Sequence, residues 1–230
     1  MKDKKLLSDI KEYLKCYENQ VLEDWYELIR HISVSETGEG IETCCDWIQK
    51  KMEEIGIQVT KYSVKPAPVL VGRFGNDPEK KTVLIYAHYD VKPAGERKLW
   101  HSDPFVPTVR DGKVYARGSA DNKSPLMAHL KALEYFIRRK MEVPVNVIFV
   151  FEGDEECGSR GLEEFLAEHR TELAADLVFF SDGPKDPSGL PIIALGAKGD
   201  LSIHITVETM NRNVHARYAP VLPSAAWQLV

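Results

Sequence analysis

An α/β fold with a largely parallel sheet and helices on both faces is predicted for this chain by two observations. Segments of strand and helix character alternate, and several of the strands are apolar along their whole length, as strands covered on both sides are. A change of pattern after Pro191 further predicts the beginning of a smaller α+β domain. The first 56 residues read as helical, and the clearest helix covers 41–55, with Ile41, Cys44, Cys45, Ile48, Met52 and Ile55 on one face and Gly56 as its stop. From Ile57 the period changes: IQVTKYSV, VLVGRF and, after the Asn76-Asp77-Pro78 turn, TVLIYA read as strands. A helix follows Pro125, with Leu126, Leu130, Leu133 and Ile137 at helical spacing. Then come the apolar strand VNVIFVF, a helix over 160–169 and the short strand DLVFF. Beyond Pro191, LSIHITVE alternates like a half-buried strand, and PSAAWQLV starts a helix that stops at Val230 in mid-pattern.

The composition excludes several classes of function. Thirty Lys and Arg against 35 Asp and Glu give a formal charge of −5, a poor match for a protein that works by neutralising nucleic-acid phosphates or by binding an acidic membrane. No apolar stretch approaches the roughly 18 residues of a bilayer span. The charged, periodic start MKDKKLLSDIKEYLK has no apolar signal-peptide core, so a cytoplasmic chain is expected, its four cysteines reduced. Their positions, 16, 44, 45 and 157, fit neither a disulfide framework nor a structural zinc site.

In open α/β sheets, ligands bind beyond the carboxyl ends of the strands. TVLIYA ends in His88-Tyr89-Asp90, VNVIFVF ends in Glu152-Gly153-Asp154-Glu155-Glu156, DLVFFS ends in Asp182-Gly183, and Asp121 stands just before a helix. Carboxylates and a histidine converging on one sheet edge repel one another unless a cation joins them. Imidazole with carboxylates suits zinc, and a carboxylate bridging two ions is a recurring device of two-metal hydrolases. The HExxH, Gly-x-Ser-x-Gly, Walker A and Gly-x-Gly-x-x-Gly motifs are all absent, so zincin, serine-hydrolase and nucleotide chemistry have no support.

From His88 to His215 the order of motifs resembles the M20 family of co-catalytic zinc metallopeptidases, in its carnosinase-like cytosolic dipeptidase branch. The resemblance is carried by VLIYAHYDVKPA, by Trp100 with Asp103-Pro104-Phe105, by RDGKVYARGSADNK, by EGDEECGS and by SDG at Ser181. It implies two divalent ions, zinc by preference with manganese or cobalt as alternatives. His88 is then a ligand of one ion, Asp121 the bridge, Asp182 the completion of the first site and Glu156 a ligand of the second. Asp90 orients His88, Glu155 is the general base, and His215 reaches the reaction centre from a lid domain across a dimer interface. Ala216-Arg217 replace the family's usual Ser-Gly after that histidine, and Ala116 and Ser124 stand where glycines are common.

The resemblance implies residues 1–197 as the N-terminal part of a catalytic domain and 198–230 as the start of the lid. Family members continue further, to a late histidine that completes the second site, so this sequence reads as an N-terminal portion. The expected function is hydrolysis of the amide bond of dipeptides or small peptides by metal-activated water, in a homodimer when full length, with no nucleic-acid or membrane partner. Two other readings stand beside it: an N-acyl amino acid deacylase or desuccinylase, and a non-catalytic truncated homologue.

Overall fold

In the computed structural model, the described residues are 2–183, 188–190, 192–194, 196, 198–199 and 201–230. The chain begins with α1 (Lys2–Arg30) and α2 (Ile41–Glu54), continues through β1 (Gln58–Tyr62), β2 (Val69–Phe74) and β3 (Thr82–His88), and forms a hairpin of β4 (Thr108–Arg110) and β5 (Lys113–Tyr115). After α3 (Lys123–Arg138) come β6 (Asn146–Glu152), α4 (Leu162–Glu168), β7 (Leu177–Phe180) and, near the end, α5 (Ala225–Leu229). Two compact units are formed, 1–184 and 185–230.

The central sheet has the order β1-β2-β6-β3-β7. Its β6-β3-β7 portion is parallel, as expected for strands apolar on both faces, whereas β1-β2 and β2-β6 pair antiparallel. The sheet is therefore mixed rather than largely parallel. The segment between β1 and β2 is too short for a crossover helix and can only turn the chain back.

Alternation along β6 divides the core. Val147, Phe149 and Phe151 join Cys44, Cys45, Ile48 and Met52 of α2 and Leu126, Leu130 and Leu133 of α3 on one face. Ile148 and Val150 face the other way, with Val69, Val71, Leu84, Phe165 of α4 and Leu173. Each such side chain, fully buried, contributes about 1.5–3 kcal/mol, so these two clusters fix the sheet between its helices. Burial also pushes the Cys45 thiol up to about 12, which leaves it a packing group rather than a nucleophile.

One expectation in the second unit changes in the structure. LSIHITVE, in the second unit, forms no strand: among the described residues of that unit there is no strand for it to pair with, and an alternating pattern alone closes no ladder. The β4–β5 hairpin has no counterpart among the sequence expectations. Its turn is Asp111-Gly112, with φ of 50° and 71°, the left-handed pair that a two-residue hairpin turn requires. Among the described residues no helix is long and apolar enough to cross a membrane.

A charged pocket between α1, α2 and α3 is held by Asp24, Lys51, Lys131, Glu134 and Arg138. Burial alone would push the Asp24 carboxyl up, but Lys131 and Lys51 outweigh it and hold it below the ordinary aspartate value of 3.8. Its folded-state value thus lies below its unfolded value. The stabilisation is present above the ordinary aspartate range and is lost as pH falls through the folded value. Asp24→Asn is expected to cost about 1–2 kcal/mol at pH 7 and to flatten the decline of stability below about pH 4. Denaturant unfolding of both chains at pH 7 and pH 3 measures this, and equal pH slopes would contradict it.

Candidate metal centre

The site forms where the parallel strands end. Strands β3 and β6 are in register as far as His88 opposite Glu152, and β3 and β7 as far as Tyr86 opposite Phe180. The Tyr86 and Phe180 rings stack with centroids 4.7 Å apart, which places the exit of β7, and with it Asp182, beside the exit of β3.

His88 is fully buried at the centre of the group. Its Nε2 lies 3.0 Å from Asp121 Oδ1, 3.3 Å from Asp182 Oδ2 and 3.7 Å from Glu155 Oε2. One ligand atom from each of His88, Asp121 and Asp182 lies within 4.8 Å of the others, a spacing that one cation can bridge. The donor set fits a divalent metal in chemistry as well, one imidazole with two carboxylates. Asp121 is 64% exposed and Asp182 17%, so the group opens outward from a buried histidine.

The other ring nitrogen is fixed from behind. His88 Nδ1 lies 3.1 Å from the Asp90 carbonyl oxygen and 3.3 Å from its Oδ1. Asp90, also fully buried, accepts the backbone N–H groups of Glu155 at 3.2 Å and Glu156 at 3.0 Å. Burial would raise the Asp90 carboxyl, but His88, Ser35 and the Glu156 N–H together hold it below its ordinary value. Burial likewise works against a charged His88, yet Asp90, Glu155 and Asp182 raise it to about 9. The potential at this imidazole is therefore strongly negative, which is what a cation site needs.

The acidic run after β6 divides into distinct roles. Glu152 is buried and accepts from Tyr86 Oη at 2.5 Å and Ser159 Oγ at 2.8 Å. Asp154 is gripped by the Arg160 guanidinium at 2.7 and 2.9 Å. Glu155 faces His88, and burial raises its carboxyl, assisted by Asp182, Glu156 and Asp90 against the opposing effect of His88. Glu156 lies outside the metal-spaced group: its Oε2 is 3.3 Å from Lys92 Nζ, and the same ammonium hydrogen-bonds its backbone carbonyl. His215 lies in the second unit, exposed, at the start of a short turn, where its Nδ1 accepts from Arg217 N at 3.2 Å.

Gly153 has a steric role in this loop. A Cβ there would stand 2.5 Å from Tyr89 Cζ and Oη, and Tyr89 is itself buried, donating to the Pro68 carbonyl at 2.7 Å. Gly153→Ala is expected to cost about 1–3 kcal/mol, read as a lower melting temperature. An unchanged melting curve would show that the loop yields freely.

The sequence reading missed Ser35, Lys92, Asn122 and Lys123, all of which touch or support the group. Ser35 reaches Asp90 from a distant part of the chain, and Lys92, two residues after Asp90, pairs with Glu156 64 residues further on; no local spacing announces such contacts. Lys123, in a charged stretch before a helix, reads as an exposed lysine but is 1% exposed.

A mixed α/β sheet presenting one histidine and several carboxylates at its parallel edge defines a class of metal-binding α/β proteins. The family model described as Peptidase family M20/M25/M40 matches residues 84–230, and the chain belongs to that family. The Cys-Gly metallodipeptidase dug1 of Schizosaccharomyces pombe is 40% identical over 172 residues, covering 72% of this chain and 36% of that protein. The Beta-Ala-His dipeptidase of Mus musculus is 35% identical over 151 residues, covering 65% of this chain and 31% of that protein. Among solved structures, the M20 family metallo-carboxypeptidase Sso-CP2 from Sulfolobus solfataricus superposes with a TM-score of 0.70 at 36% identity, covering 74% of this chain and 38% of that one. The chain thus spans 31% to 38% of the length of these three proteins.

Proposed function

We propose that this chain is the N-terminal portion of a metal-dependent dipeptidase that hydrolyses the amide bond of dipeptides or small peptides. The observation that carries the reading is the group of His88, Asp121 and Asp182 with Glu155 beside it, 3.7 Å from the imidazole nitrogen that the two aspartates share. The dipeptidase names of two relatives support the substrate class.

His88, Asp121 and Asp182 would hold the first ion, with zinc preferred on donor chemistry. A divalent ion supplies a Lewis acid that polarises an amide carbonyl and acidifies water. Asp90 keeps the His88 ring oriented, as carboxylates behind ligating histidines do. Glu155 Oε2 takes the proton of the attacking water and delivers it to the leaving amine. Its raised pKa suits a group that must both accept and return a proton near neutral pH.

The proposal extends to a second ion bridged by Asp121 and held by Glu156, which would have to exchange its pairing with Lys92 for that role. It also extends to residues 198–230 as the start of a dimerising lid, with His215 stabilising the developing oxyanion from that lid, and to a cytoplasmic location. The test is hydrolysis of Cys-Gly and β-Ala-His by the protein loaded with zinc, manganese or cobalt, followed through the released amino group. Release abolished by a chelator and restored by metal is expected. A folded, metal-loaded protein that leaves both dipeptides intact would overturn the hydrolase reading.

A further inference from the structure

Three segments carry the donors of the candidate site, and two consecutive residues join them. Asn122 and Lys123 follow Asp121 at the start of α3, and each is 1% exposed. Asn122 Nδ2 donates to the carbonyl oxygen of Ser181 at 3.0 Å, the residue immediately before Asp182. Lys123 Nζ donates in the opposite direction, to the carbonyls of Leu28 at 3.1 Å and His31 at 2.6 Å, where α1 ends.

Lys123 is the only lysine or arginine buried among the described residues, and its bonds go to carbonyls rather than to a carboxylate. Burying an ammonium is costly unless its protons are satisfied. The last carbonyls of a helix lack intrahelical donors and carry the negative end of its dipole, so they can satisfy it. The segment after α1 then continues to the histidine side of the site. Ser33 Oγ donates to the Tyr89 carbonyl at 2.6 Å, Val91 N donates to the Ser33 carbonyl at 2.8 Å, and Ser35 hydrogen-bonds the Asp90 carboxylate. Lys123 is thus linked through this segment to both backbone neighbours of Asp90. Hydrogen bonds joined by short stretches of chain lead from the Asp182 segment through Asn122 and Lys123 to residues 31–33, and from there to the segment of His88 and Asp90.

We propose that Asn122 and Lys123 are the positioning pair of this site, setting the distance of Asp121 from Asp182 on one side and from His88 on the other. Neither residue belongs to the metal-spaced group of His88, Asp121 and Asp182. The inference rests on the reading of His88, Asp121 and Asp182 as metal ligands, and it concerns how the spacing of those ligands is maintained.

Titration of the full chain with Zn2+ against a competing chelator, and with Co2+ followed by its visible absorption, tests the pair. The chains compared are the wild type, Asn122→Leu, Lys123→Met, Asp121→Ala as the ligand control, and Leu130→Val as a control that weakens α3 in the core. Circular dichroism establishes that each is folded. Asn122→Leu and Lys123→Met are expected to weaken zinc binding by about 10- to 100-fold, as loss of outer partners of metal ligands does, and to change the Co2+ spectrum. Leu130→Val is expected to leave both unchanged. Wild-type affinity and spectrum in Asn122→Leu and Lys123→Met, or equal weakening in Leu130→Val, would overturn the proposal. Should Lys123→Met fail to fold, Asn122→Leu decides. A wild type that binds zinc no better than Asp121→Ala overturns the ligand reading and this one with it.

Discussion

Glu155→Gln is expected to lower the turnover of metal-loaded protein by about 10²- to 10⁴-fold, the usual contribution of a positioned acid or base, while zinc affinity stays within about twofold. The amide keeps the size of the carboxylate but cannot take a proton. The loop should hold its shape, because Glu155 is tied to Asp90 through its backbone N–H rather than its side chain. The side chain lies beside His88 but outside the group spaced for a metal. Initial rates on Cys-Gly at saturating substrate, with zinc content measured on the same samples, separate the two effects. Wild-type kcat in Glu155→Gln would rule out Glu155 as the base.

Asp121→Ala is expected to produce the larger loss of metal, at least about 10²-fold in zinc affinity. Its carboxylate provides the shortest contact to His88 Nε2, at 3.0 Å, and in the proposed two-ion centre it serves both ions. Removing one partner from a charge cluster is ordinarily destabilising where the cluster is buried. Here the side chain is 64% exposed, so the fold should survive and the loss should appear in binding alone. Circular dichroism and zinc titration of the same preparation provide the check, and unchanged affinity would remove Asp121 from the ligand set.

Much of the fold was legible because its signals are local. The apolar face of 41–55 names the residues that α2 buries, from Ile41 to Met52. The apolar runs at 82–87 and 145–151 coincide within a residue or so with β3 and β6, whose ends carry His88 and the acidic loop. What was not legible depends on distance in space. LSIHITVE has the alternation of a strand, but a strand is defined by its neighbour. The β4–β5 turn carries a local signal, Asp111-Gly112, but its strands are only three residues each, too short for alternation to mark them. Within the site, EGDEE appears as a uniform acidic run, whereas Tyr86, Arg160 and Lys92 give Glu152, Asp154 and Glu156 three different surroundings. Lys92 lies 64 residues from Glu156 in the chain, and no spacing rule connects them.

The strand order has a consequence for how the protein comes to exist. β3 must find β6 and then β7 across long stretches of chain, and such distant parallel pairings pay their loop-closure entropy before any contact rewards them. The histidine and the two aspartates at positions 88, 121 and 182 have no common location until those pairings close. An unfolded chain therefore offers a cation only scattered groups, and the proposed binding to the folded arrangement alone would draw the population toward the folded side. Under the proposed metal reading, metal supply during synthesis would then bear on yield as well as on chemistry, the ion joining only after the strands have paired.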